Sequence, residues 1–385
     1  MRMIIKKFIS YLILLTLTSC AYSPNKPITS IDGYSVLEKP SVNFASSLKP
    51  KSIEIYFYEA NDNYIFPDYI VGFLDNYYFY QKSIGYSPKL KLINIHNKKD
   101  CSIENERTSY VVFFNIKTLN LLPTECVAWL AQNSNLIVSG DKNINLNSNN
   151  ASVFSISRKE ERDKIIKFAR KEYKRVILID NKSTNDKTLL SKMWKNSGGV
   201  VLNSSSYEES AQTQEMIGKI LFLERSNQRK RSLSRVLSEE LQFTPRIRGD
   251  VDAILLSTMI SEARDIRPTI EYSYGDKIPI FLITDWSSED FYKLIEKDLS
   301  NVFISDMPIK FEGFNKKTFG NLALTTRSFG IGYDTYEIML LNNTRGEKNG
   351  LIYKGLTGHI FKIGKDFYRK PLLIKSEDNT FKFLN

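Results

Sequence analysis

Apolar residues fall into short unbroken runs, separated by segments where they recur every three or four positions. The runs are "SIEIYFY" (Ser52–Tyr58), "KLKLINI" (Lys89–Ile95), "YVVFFN" (Tyr110–Asn115), "NLIVSGD" (Asn135–Asp141), "RVILID" (Arg175–Asp180), "GGVVLNSSSY" (Gly198–Tyr207), "DAILLST" (Asp252–Thr258) and "IPIFLITD" (Ile278–Asp285). Continuous apolar stretches of this length, separated by helices, predict strands buried on both faces, as in a parallel sheet. The segments between them predict helices over Pro67–Gly85, Thr124–Gln132, Arg158–Tyr173, Asp186–Asn196, Glu208–Leu223 and from Ser261 onward. Alternation of strand and helix in two series, broken by the Asn-rich "DKNINLNSNN", predicts two α/β lobes in a chain of 385 residues.

Before the first strand the pattern differs. Arg2, Lys6 and Lys7 precede an apolar run from Phe8 to Leu17. This is the basic and apolar part of a secretory signal, covering 1–19, and it is too short for a membrane-spanning helix of about 20 residues. It ends in "LTSC", which resembles the bacterial lipobox and marks Cys20 as the residue that would be diacylated. Ala21 at the next position suggests the outer membrane by resemblance to lipoprotein sorting. Residues 20–50 hold four prolines and no period, which reads as an anchor and tether with a reach between roughly 30 and 90 Å.

Loss of Arg2, Lys6 and Lys7 with the signal, and of no acid, lowers the net charge from +11 to +8. The densest basic run, "RSNQRKRSLSR" (Arg225–Arg235), reads as a solvated helix face or loop, and nucleic acid is not expected as a partner in this compartment. Cys101 and Cys126 lie where disulfides are permitted and can bridge each other; the alternative is a buried free thiol at Cys126.

The segment "FTPRIRGDVDAILLSTMISEARDIRPTI" carries the remaining candidate chemistry. It places Arg246, Arg248, Asp250 and Asp252 before one strand and Glu262, Arg264, Asp265 and Arg267 after it. Asp250 and Asp252 superficially resemble the D-x-D metal motif of sugar transferases. Strand alternation puts both on one face beside Arg246 and Arg248, where charge pairing satisfies them without a metal. Ser261 is the expected N-cap of the following helix, Glu262 suits its first turn, and Pro268 should end or kink it.

The same stretch resembles the C-terminal domain of the LpoA/LppC family of penicillin-binding protein activators, whose members carry R-x-R-x-D-x-D-A and then E-A-R-x-I-K-P. "VFSISRKEERDKIIKFA" (Val153–Ala169), "NVFISDMPI" (Asn301–Ile309, with Asp306), "FGIGYDTYEI" (Phe329–Ile338) and "GLTGHIFKIGKDFYRKPLLI" (Gly355–Ile374) resemble further family segments in order. Ile309 stands where the family has Trp. The resemblance is specific from about 153 to 380. It implies a two-lobed fold of the type I periplasmic-binding-protein kind, each lobe a mostly parallel sheet flanked by helices. The first lobe would cover 51–152, completed by about 304–345, and the second 153–303, with C-terminal strands from about 346–385. The family's helical-repeat domain is expected to be missing, since only the tether precedes Lys51.

The loop after the first strand, "YEANDNYIFP", lacks the small residues with which ligand-binding relatives approach a solute, which speaks against tight small-molecule capture. His96 and His359 have no metal-ligand spacing, and no G-x-S-x-G, H-E-x-x-H or phosphate-binding loop occurs. No cofactor and no catalysis are expected. The resemblance implies an outer-membrane lipoprotein that binds and activates a class A penicillin-binding protein. The alternative is a tethered solute-binding protein using the cleft between lobes, and a cell-wall enzyme is a third reading.

Overall fold

A computed structural model describes residues 50–57, 66–95, 110–114, 116–140, 150–182, 186–208, 210–244, 247–275, 277–283, 297–310, 326–345, 350–377 and 380–384. Cys20, His96, Cys101, Arg246, the signal, most of the tether and the loop after the first strand lie outside them.

The first sheet takes β1 (Ser52–Phe57), β2 (Lys89–Asn94), β3 (Tyr110–Phe113), β4 (Asn135–Gly140) and β5 (Ala151–Ser155), all in parallel register. Its helices are α1 (Phe66–Ile84), α2 (Ile116–Leu121) and α3 (Thr124–Asn133). The chain then crosses through α4 (Lys159–Ala169) into a second parallel series. This consists of β6 (Arg175–Asn181), α5 (Lys187–Asn196), β7 (Val200–Tyr207), α6 (Thr213–Ile220), α7 (Leu223–Leu237), β8 (Ala253–Ser257), α8 (Ile260–Ile270), β9 (Ile280–Leu282) and β10 (Val302–Asp306). Strands β3, β5 and β8 are buried at every position, as expected of strands covered on both faces. The fold class read from the sequence is the one observed.

The C-terminal third is shared differently from the expectation. Helix α9 (Arg327–Arg345) returns to the first lobe and packs on α1. Strands β11 (Gly350–Gly355), β12 (Gly358–Ile363) and β13 (Asp366–Lys370) then extend the first sheet, with β13 parallel to β5. Only β14 (Leu372–Glu377) and β15 (Thr380–Leu384) join the second, antiparallel beyond β10. The sequence pattern places all strands after about 346 with the second lobe and residues 304–306 with the first. Hydrophobic pattern marks a strand as buried but does not name its neighbour, which accounts for both differences.

Two glycines let α1 and α9 meet backbone to backbone. A Cβ on Gly72 would fall 2.0 Å from the Phe329 carbonyl oxygen, and one on Gly332 would fall 1.9 Å from that of Tyr69. Aromatic side chains close the seam, with Tyr336 meeting Phe73 edge-to-face at 5.1 Å between centroids. Deep in it, Glu337 accepts from Tyr80 Oη at 2.6 Å and Asn76 Nδ2 at 3.0 Å, so donors from α1 help to solvate its carboxylate. One continuous apolar core runs from this seam through Met307, Ile309 and Leu356 into the second lobe. Separate clusters fill the outer face of each sheet.

Candidate functional site: the charged seam between the lobes

The charges of the 246–267 segment are divided among several local tasks. Arg248 grips Asp250 with both arms, Nε to Oδ1 at 2.6 Å and a second contact from Nη2, and its guanidinium lies 4.8 Å over the Phe222 ring. Asp252 does not pair with this arginine. It accepts from the backbone amides of Lys174 (3.0 Å) and Arg175 (2.7 Å) and from Arg175 Nη2 (3.0 Å), tying the start of β8 to the start of β6. Three donors hold its carboxyl below the usual range against the opposing effect of burial.

Helix α8 begins one residue earlier than expected, and Ser261 is not its cap. Met259 takes the N-cap position, and the Glu262 carboxylate accepts from the Met259 amide at 3.0 Å and from Asn181 Nδ2. Burial pushes Glu262 upward despite these bonds. Pro268 lies within the helix, which continues to Ile270 and finishes in a π-helical turn, Glu271–Gly275. Asp265 accepts from Tyr207 Oη at 2.9 Å. Arg267 is buried; it donates to the Ser300 carbonyl at 3.2 Å and to Glu271 at 3.0 Å. Arg264 is half-buried.

The tightest charge cluster involves residues that the sequence did not single out, Asp306 excepted. Glu161 of α4 accepts from Arg369 of β13 at 2.6 Å and from Arg327, the first residue of α9, at 2.8 Å. Arg327 reaches with its other arm to Asp306, at the end of β10. Arg369 also donates to the carbonyls of Ser157 (3.1 Å) and Thr357 (3.3 Å), and Glu160 stands 3.7 Å from it. The cluster thus ties first-lobe elements β13 and α9 to second-lobe elements α4 and β10. Burial alone would push Glu161 up, but Arg369 and Arg327 together hold it down. Burial also pushes up Asp306, and the charge of Glu161 adds to the rise, against the opposing pull of Arg327 and Arg158.

Beside the cluster, at the carboxyl ends of β8, β9 and β10, lies a cavity of about 330 Å³. Arg158, Arg162, Asp186, Ser257, Met259 and Arg327 contribute to its wall. Asp186 is held there by Arg162 at 3.3 Å and by Ser257 Oγ at 3.0 Å. In open α/β folds this is where ligands enter.

A further buried carboxylate fixes the first-lobe hairpin. Asp334 of α9 accepts from the Leu356 amide (2.9 Å), the Thr357 amide (2.7 Å) and Thr357 Oγ1 (2.5 Å) in the β11–β12 turn. Burial raises it to about 6 even so. His359, in the same hairpin, is lowered by burial and by the neighbouring lysines Lys354, Lys164 and Lys370. Cys126 is disulfide-bonded.

Residues 174–364 match the model of a family described as LppC putative lipoprotein. No curated protein sequence matches the chain. Among solved structures, the C-domain of LpoA (YraM) from Haemophilus influenzae, described as a regulator of PBP1A, superposes with a TM-score of 0.58 at 12% identity over 87% of this chain and 100% of that one. Full-length LpoA from the same organism gives 0.57 at 12% identity over 87% of this chain, which spans 59% of that longer protein. A putative branched-chain amino acid ABC transporter from Chromobacterium violaceum gives 0.53 at 13% identity, covering 84% of this chain and 99% of that one. At these identities the superpositions establish a shared periplasmic-binding-protein-like architecture. The span matched by the LppC model runs from just before β6 through β12, so the likeness to that family lies in most of the second lobe and in the shared C-terminal region.

Proposed function

We propose that the protein regulates cell-wall synthesis: it binds a class A penicillin-binding protein and stimulates it. The observation that carries this is the LppC family match on an α/β body that spans the whole LpoA C-domain. The buried ion cluster fits such a role, because it braces the two lobes as one rigid surface for a partner.

In this reading Cys20 carries the lipid that holds the protein on the periplasmic side of the outer membrane. Cys101 is the proposed partner of Cys126. The test mixes the protein with its own organism's class A synthase and follows glycan polymerisation and crosslinking. Binding with a rise in either rate is expected; neither binding nor a rate change overturns the proposal. The cavity lined by Arg158, Arg162 and Asp186 favours a second reading, solute capture between the lobes. A strong thermal shift with one amino acid or short peptide would support it, since a ligand at 100 times its dissociation constant adds about 2.7 kcal/mol.

A further inference from the structure

Helix α7 is the basic run of the sequence, and it is poorly covered by the rest of the molecule. Ser226, in its first turn, is buried, whereas beyond Lys230 only Ser234 has partial cover. The helix is docked by its first half and overhangs by its second. The backbone at both ends is left-handed at non-glycine residues, φ 61° at Phe222 and φ 55° at Ser238, which sets the helix off sharply from its flanks.

Leu233, Val236 and Leu237 occupy positions i, i+3 and i+4, one face of a helix, and they are 54%, 80% and 55% exposed. Arg229 and Lys230 lie one turn before Leu233, and Arg225 lies one turn before Arg229. Arg231 and Arg235 fall on the opposite, polar face. Against these five cations the helix has one acid, Glu224; Glu239 and Glu240 follow it and lie beside Lys230 and Arg231, away from Leu233. Between the helix and the preceding turn is a groove of about 800 Å³ with Phe222 and Leu233 in its wall and Arg225, Arg229 and Arg248 around it. Arg225 and Arg248 both lie over the Phe222 ring, at 5.3 and 4.8 Å.

A short apolar stripe flanked by cations on a strongly polar helix is the arrangement of helices that lie in a lipid interface. Guanidinium groups held beside it bind phosphate oxygens in two-point contacts. We propose that α7 and the Phe222–Arg248 groove dock onto an anionic phospholipid surface. Phosphate-bearing headgroups would meet Arg225 and Arg229, while Leu233, Val236 and Leu237 would enter the acyl boundary. This contact does not depend on the regulatory role proposed above.

The test attaches an environment-sensitive fluorophore to the full chain at Val236→Cys or, as a control, at Tyr272→Cys, with signal from the labelled unsubstituted chain subtracted. The protein is added to vesicles of phosphatidylcholine alone or with phosphatidylglycerol. At position 236 a blue shift and severalfold brightening are expected with phosphatidylglycerol only. They should vanish at high salt and in the Arg229→Glu, Lys230→Glu variant, and inorganic phosphate should not reproduce them. Three outcomes overturn the proposal: no response to phosphatidylglycerol, an equal response at position 272, or a response to the synthase but not to vesicles, which would assign the face to an acidic protein segment.

Discussion

Arg369 and Glu161 lie 208 residues apart in sequence and 2.6 Å apart in space, with the arginine fully buried on the first sheet and the glutamate on the crossover helix of the second lobe. Removing one partner of a buried pair leaves an uncompensated charge. Arg369→Met should therefore destabilise the fold by about 3–5 kcal/mol in denaturant titrations. The double variant Arg369→Met, Glu161→Gln should recover part of that loss. Additive losses in the cycle would show that the two side chains are not coupled.

Asp334 gives a pH signature. Its folded value is raised to about 6 from 3.8, so the native state holds the proton more tightly than the unfolded chain between these values. Its contribution is most favourable below about pH 4 and is lost as pH rises through about 6. The stability of the native chain relative to Asp334→Asn should fall by on the order of 3 kcal/mol across that window. The variant's changed hydrogen bonds with the Leu356 and Thr357 amides shift both ends equally. A flat difference between the two profiles would contradict the assignment.

Gly332→Ala and Gly72→Ala each set a methyl against a backbone carbonyl of the partner helix. Each should cost at least about 1–3 kcal/mol, because neither carbonyl can move without shifting a helix. Gly218, within α6, has open space around its Cβ position, and Gly218→Ala should instead stabilise by roughly 0.5–1 kcal/mol. Thermal unfolding of the three variants checks the contrast, and equal effects would remove the close-packing argument.

Lipid attachment at Cys20 is tested by metabolic labelling with a fatty-acid probe. The native chain should carry the label and Cys20→Ala should not. Equal labelling of both would falsify the assignment.

The order of strands and helices was legible in the sequence because it rests on local pattern: the apolar runs at Tyr110–Asn115 and Asp252–Thr258 are short, bounded by polar residues and of the length of strands covered on both faces. The basic run at Arg225–Arg235 was legible as a solvated face, although not as a helix set off by left-handed residues at both ends. What tertiary structure alone decided is which distant residues meet. Asp252 looked paired with Arg248 because they are neighbours in sequence, yet β6 lies beside β8 and brings Arg175 instead. Strands β11–β13, expected on the second lobe, fit either sheet by pattern, and only the pairing of β13 with β5 places them on the first. Glu161, Arg327 and Arg369 gave no signal at all. A charged residue in a sequence carries no mark of burial, and only the closing of the two lobes around it supplies the counter-charge that makes burial affordable.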